Sequence, residues 1–120
     1  MKYLCLIYNE EEKLDAMSQG EWEALVGEAL AYDDELRQRG HLLAAQALQP
    51  AHTATTVRVR TGTVSTVAGP AAGPKEQLRG FILIDARDLN EAIQVASKMP
   101  QARVGSIEVR PIVESEQRGR

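Results

Sequence analysis

A chain of 120 residues, 43% hydrophobic and 26% charged, is long enough for one compact domain and too evenly composed for a disordered or fibrous class. Its net charge of -3 sets 14 basic against 17 acidic residues, and the basic ones are scattered apart from Arg58, Arg60 and the tail, which argues against nucleic acid as a partner. The single cysteine, Cys5, excludes an internal disulfide, and no run approaches the ~20 apolar residues of a membrane span, so a soluble protein of the reducing cytoplasm is expected.

Met1 to Tyr8 sets Tyr3, Cys5 and Ile7 against Leu4, Leu6 and Tyr8, and apolar groups on both faces predict a central strand. Ser18-Gln19-Gly20-Glu21 has capping-box spacing, so a helix is expected from Gln19 to Arg39, ended by Gly40 in a left-handed cap. Trp22, Leu25, Val26, Ala29, Leu30 and Leu36 recur at helical spacing as its apolar stripe. His41 to Leu48 suits a returning strand, and Thr55 to Arg60 and Thr63 to Val67 alternate around Thr61-Gly62 as a hairpin. Leu78 to Asp85 reads as a strong strand, and Asp88 to Glu91 offers a second capping box. The helix that follows carries Leu89, Ala92, Ile93 and Ala96 as its stripe and stops at Pro100. Ser106 to Ile112 is the last strand, and residues 114–120 form a polar tail beyond a single domain of residues 1–113.

Strand, helix, strand, hairpin, strand, helix, strand is the order of an α+β sandwich of ferredoxin-like type, two βαβ units flanking an inserted hairpin. Helices on one face leave the other face of the sheet in need of cover. A second copy packed sheet on sheet about a two-fold axis would supply it, so a homodimer is expected.

Between hairpin and third long strand lies Ala68-Gly69-Pro70-Ala71-Ala72-Gly73-Pro74-Lys75-Glu76, a loop shaped by two Gly-Pro pairs. With Met1 to Tyr8, Leu48-Gln49-Pro50, Lys75-Glu76-Gln77-Leu78, Gly80-Phe81, Asp88 to Ala92 and Ile107 to Ile112, it resembles the YCII-related proteins of the DGPF type. Their loop usually reads Asp-Gly-Pro-Phe before a Lys-Glu segment. The resemblance implies a dimeric α+β barrel. It also implies a proposed catalytic pair, a helix His and a loop Asp, whose positions fall on Ala29 and Ala68 here, so this chain keeps neither. Relatives are often encoded beside alternative sigma factors, which makes such a factor a further candidate partner.

The residues themselves offer other candidates. His41, next to a helix end, has the chemistry of a general acid or base, and equally of a cation resting on the helix carbonyls. Lys75 could receive an anion with Glu76 as proton acceptor, or the pair could pin the loop to its neighbours. Tyr8 and Tyr32 could hold a small ligand between sheet and helix, in a cleft framed by Gly69, Pro70 and Lys75, or belong to the core. Asp33 and Asp34 could present a carboxylate to the same space, but read first as a solvated helix face beside Arg37; Trp22 reads as packing, and Cys5 as an inert buried thiol. His41 and His52 lie too far apart for a metal site, and no cofactor motif is present. The expected function is binding of a small organic ligand without the family pair. The alternatives are a lyase or isomerase using His41 or Glu76, and a regulatory protein partnering a sigma factor.

Overall fold

The computed structural model describes residues 1–71, 73 and 75–114; the expected tail at 115–120 lies outside them. Strand β1 (Lys2–Glu10) runs into a one-turn helix α1 (Glu11–Asp15), which the sequence pattern did not announce, and then into the long helix α2 (Gln19–Gln38). Strand β2 (Leu42–Ala47), the hairpin β3 (Thr55–Arg60) and β4 (Thr63–Ala68), strand β5 (Glu76–Asp85), helix α3 (Leu89–Ser97) and strand β6 (Gly105–Pro111) complete the order. Short 3-10 turns at Ala51–Thr53 and Pro100–Val104 precede β3 and β6.

Helix boundaries follow local chemistry. The Ser18 hydroxyl accepts from the Glu21 amide and the Glu21 carboxylate accepts from the Ser18 amide, closing the capping box. At the other end Gly40 takes φ +78°, and the Gly40 and His41 amides donate to Arg37 and Leu36 carbonyls, the paired bonds of a Schellman cap. Asp88 caps α3 by accepting from the Glu91 amide.

β1, β2, β5 and β6 form one antiparallel sheet in the order β2-β5-β1-β6, the ferredoxin-like arrangement, with β1 central as expected. The hairpin is a separate two-stranded ribbon. Period-two alternation turns Tyr3, Cys5, Ile7 and Asn9 of β1 into the helix-covered face, and leaves Leu4, Leu6 and Tyr8 half-buried on the other. Directly across on β5, Leu83 and Phe81 share that outer face with Leu4 and Leu6.

The core occupies one end of the covered face. Tyr3, Cys5 and Ile84 from the sheet meet Leu36 of α2 and Ala92, Val95 and Ala96 of α3, with Met99 sealing the edge. Tyr32 packs against this cluster and its hydroxyl donates to the Val95 carbonyl at 2.7 Å, tying α2 to α3. Burial pushes the Cys5 thiol up to about 11, so it carries no thiolate at neutral pH.

Both helical stripes are only partly buried. On α2, Leu25 and Leu36 are buried, whereas Trp22, Val26 and Leu30 are 36%, 37% and 60% exposed; on α3 the turn of the helix buries Ala92, Val95 and Ala96 and leaves Leu89 and Ile93 outside. Helical period locates an apolar face, but whether a neighbour reaches it depends on the height of the facing side chains.

Candidate functional site

Under the first half of α2 the facing side chains are short. Ala29 on the helix looks toward Ala45 and Ala47 of β2 and Gly80 of β5, and a cavity of about 320 Å³ opens between them. Trp22, Leu25, Val26 and Leu30 form its helical wall, Leu14 of α1 and Leu48 stand at its rim, and Ile7 and Ile82 make its sheet floor. Gly80 is required by the backbone itself: a Cβ there would meet the Gln46 carbonyl oxygen at 2.8 Å and the Ala47 Cα at 3.4 Å. The β1–β5 register shifts at Ile7/Tyr8, opposite this glycine, so strand β5 bends where the cavity begins.

Asn9, Gln101, Asp33 and Arg79 are polar residues of this apolar wall, with Gln46 of β2 a fifth. Asn9 continues the buried period of β1, and its Nδ2 donates to the main-chain oxygens of Val104 at 3.1 Å and Gln101 at 3.4 Å, bracing the strand against the 3-10 turn. Gln101 lines the cavity with its side-chain oxygen sealed from water and without a hydrogen-bond partner, a state that costs about 1–3 kcal/mol. Asp33 extends the stripe of Trp22, Val26 and Leu30, and burial raises its carboxyl above the usual range, with Asp34 adding to the rise and Arg37 opposing it. Arg79 is held in place: its Nε donates to the Leu48 carbonyl at 3.4 Å and its Nη1 lies 3.9 Å from Glu11. Glu11 also accepts from the Ala51 amide at 2.7 Å, so α1 ties the β2–β3 connection to the cavity mouth.

Arrangement and chemistry agree with a ligand pocket. A concave apolar chamber with a few polar groups at its edges is how small-molecule sites are built, and a carboxyl held toward its neutral form in such a place can donate or accept a proton.

Of the catalytic and ligand candidates weighed from the sequence, Asp33 lines this cavity, whereas His41, Glu76, Tyr8, Tyr32, Gly69, Pro70 and Lys75 do not. His41 sits on the helix cap with Nδ1 2.8 Å from the Asp85 carbonyl; because that oxygen only accepts, Nδ1 carries the hydrogen. Lys75 reaches Glu10 at 3.0 Å, and Glu10, gripped also by Lys13 at 2.6 Å, is held below the usual glutamate range by these two ammonium groups while Lys75 is raised. Glu76 accepts from the Ser106 hydroxyl at 2.8 Å. Tyr8 lies on the outer face of the sheet, and Tyr32 is engaged with Val95. Gly69, at φ +103°, closes the base of the hairpin: its amide donates to Ala54 and its carbonyl accepts from Thr56, with Pro70 exposed beyond it. Of the two positions where the resemblance puts a catalytic pair, Ala29 lines the cavity, and Ala68 ends β4 opposite Thr55.

Asn9, Arg79 and Gln101 are cavity residues that no motif of the sequence marks, and Asp33 reads there first as a solvated residue beside Arg37. Asn9 and Asp33 each had a signal. Asn9 falls on the same alternation as Tyr3, Cys5 and Ile7, and Asp33 falls one turn beyond Ala29 and Leu30 on the apolar stripe, so both are polar residues in inward positions. Gln101 had none, since a 3-10 turn shows no period.

Fold and chamber together define a small α+β protein of ferredoxin-like topology, with a cleft between its long helix and one corner of the sheet. The model of the YCII-related domain matches residues 1–116, and the chain belongs to that family. It is also similar to an uncharacterised protein of Rhizobium meliloti (strain 1021), 37% identical over 114 residues, which span 93% of this chain and 92% of the relative.

Proposed function

We propose that this member of the YCII-related family binds a small, largely apolar organic molecule in the cavity under α2, without the proton-transfer pair suggested for its relatives. One observation carries the reading: Trp22, Val26 and Leu30, which the helical pattern directs inward, stand beside an open chamber where packing would otherwise cover them. Asn9, Gln101, Asp33 and Arg79 would orient the ligand's polar end. Ala29 and Ala68 leave the family's pair without either functional group. The protein acts as a homodimer through the outer sheet face that carries Leu4, Leu6, Tyr8, Phe81 and Leu83. A reducing cytoplasm suits its one buried thiol, and among the described residues no helix is long and apolar enough to cross a membrane.

A thermal-shift screen of small apolar acids, amines and amides tests the binding. A bound compound at ~100 times its Kd stabilises by ~2.7 kcal/mol. The Ala29→Phe variant fills the chamber from the helix side, and its expected phenotype is a normal melt with the ligand response gone. Silence of the native protein across a broad apolar set, or an undiminished response in Ala29→Phe, would refute the assignment.

A further inference from the structure

Strand β5 brings a positive charge to the apolar chamber at one defined point. Across the β1–β5 pair Ile7 meets Gly80 and Tyr8 meets Leu78, so Arg79 is the extra residue of a β-bulge. Plain alternation from Ile84, Ile82 and Gly80 would turn Leu78 toward α2 and Arg79 away from it. The bulge reverses that order. Leu78 shares the outer face with Tyr8 and is 37% exposed, while the Arg79 side chain lines the cavity and is 15% exposed. Its partners there are few. Among the described residues the guanidinium makes one hydrogen bond, Nε to the Leu48 carbonyl at 3.4 Å, and Nη1 stands 3.9 Å from the Glu11 carboxylate, beyond bonding range. The Glu11 oxygen that it faces already accepts from the Ala51 amide at 2.7 Å. A cationic fork is thus largely covered and held in place with only one of its N–H groups bonded, an arrangement that calls for an acceptor.

We propose that Arg79 is the anion subsite of the pocket and that the ligand is a small carboxylic acid, its carboxylate on the guanidinium fork and its apolar body along Trp22, Val26 and Leu30. The proposal rests on the small-molecule reading above and deepens it by naming the head group. Chemistry and geometry choose an acid over an amine. A planar guanidinium matches a carboxylate in two parallel hydrogen bonds, and such bonds strengthen where water is kept off. Asp33, the other ionisable group of the wall, would serve an amine, but among the described residues no bond fixes its carboxyl, since Arg37 engages Asp34. The two groups also stand apart. Glu11 places Arg79 beside α1, just ahead of α2, whereas Asp33 lies roughly 16 Å along the helix axis from Trp22 at ~1.5 Å per residue. An acid at Arg79 therefore keeps its charge away from Asp33, and the anchor already held in place is the one that takes an anion.

Isothermal titration calorimetry with hexanoate, hexanamide and hexylamine, and with phenylacetate, phenylacetamide and phenethylamine, varies the head group on a constant apolar body. The native protein should bind each acid at least about tenfold more tightly than its amide, and the amine no better than the amide. Arg79→Met keeps the reach of the side chain and removes the fork, so the acid-to-amide ratio should fall to about one. A merely structural Arg79 would weaken acid and amide alike and leave their ratio unchanged, which overturns the subsite. Acids that bind no better than amides, or amines that bind best, overturn it in the native protein alone, whether or not the variant folds. Silence toward every acid does the same, whereas the pocket itself falls only when the amides and amines of the wider apolar set are silent too, or when Ala29→Phe leaves the response undiminished.

Discussion

The two ends of helix α2 lie over one sheet and meet it differently. At the C-terminal end Leu36 is fully buried between Ile84 and the α3 alanines, and Tyr32 bonds across to Val95. At the N-terminal end Trp22, Val26 and Leu30 face a chamber over Ala45, Ala47 and Gly80. Helical period is the same throughout, so the contrast comes from the heights of the opposing side chains. One end supplies stability through contact, and the other gives up contact and keeps a hollow.

The largest expected effect is at the packed end. Leu36→Ala removes a side chain with no exposed surface and should cost ~2–5 kcal/mol in urea unfolding, whereas Leu30→Ala at the hollow end should stay within ~0.5 kcal/mol. Equal costs would erase the distinction. Gly80→Ala comes next. Its Cβ meets main-chain atoms of Gln46 and Ala47, which cannot turn aside, so ~1–3 kcal/mol should be lost and the β2–β5 amides should exchange faster.

Asp33→Asn sharpens the comparison from the hollow side. Burial raises the Asp33 carboxyl, so the folded state favours its protonated form; that contribution is present below the ordinary aspartate value of ~3.9 and lost as pH rises through the raised one. The amide variant should therefore be the more stable protein at neutral pH, with the difference vanishing in acid. A difference that grows in acid would contradict the placement of Asp33 in the cavity wall.

The smallest expected effect is at the Glu10 clamp. Its carboxyl is lowered by Lys13 and then Lys75, so its contribution is present above the ordinary glutamate value and lost as pH falls through the lowered one. Glu10→Gln should flatten a slight acid-side slope of the melting temperature. An unchanged slope would mean that the exposed lysines are not held there in solution.

Much of the architecture was legible in the chain. Ser18 with Glu21, Gly40, Thr61-Gly62 and Asp88 are local signals whose chemistry is complete within a few residues, and each marks a boundary within one or two positions of the structure. The chamber was not legible, because it exists through what faces Ala29, and no local pattern says that Ala45, Ala47 and Gly80 will stand opposite. Gly69, Lys75 and Glu76, unusual residues that stand close in sequence, instead close the hairpin and bond to neighbouring strands. Asp33 shows the limit most clearly: beside Arg37 in sequence it reads as half of a surface pair, but Arg37 bonds Asp34, leaving Asp33 in the cavity wall.

Gly80 also bears on how such a pocket can change its ligand. On the sheet side a wall residue is pressed against neighbouring main chain, so enlarging it displaces a strand and cannot be relieved by repacking. On the helix side Val26, Ala29 and Leu30 project from a half-exposed helix and can be exchanged one at a time at little cost to the core. Changes of ligand preference, whether by mutation over generations or by design, should therefore concentrate on one strip of α2 while the strand beneath it stays constant.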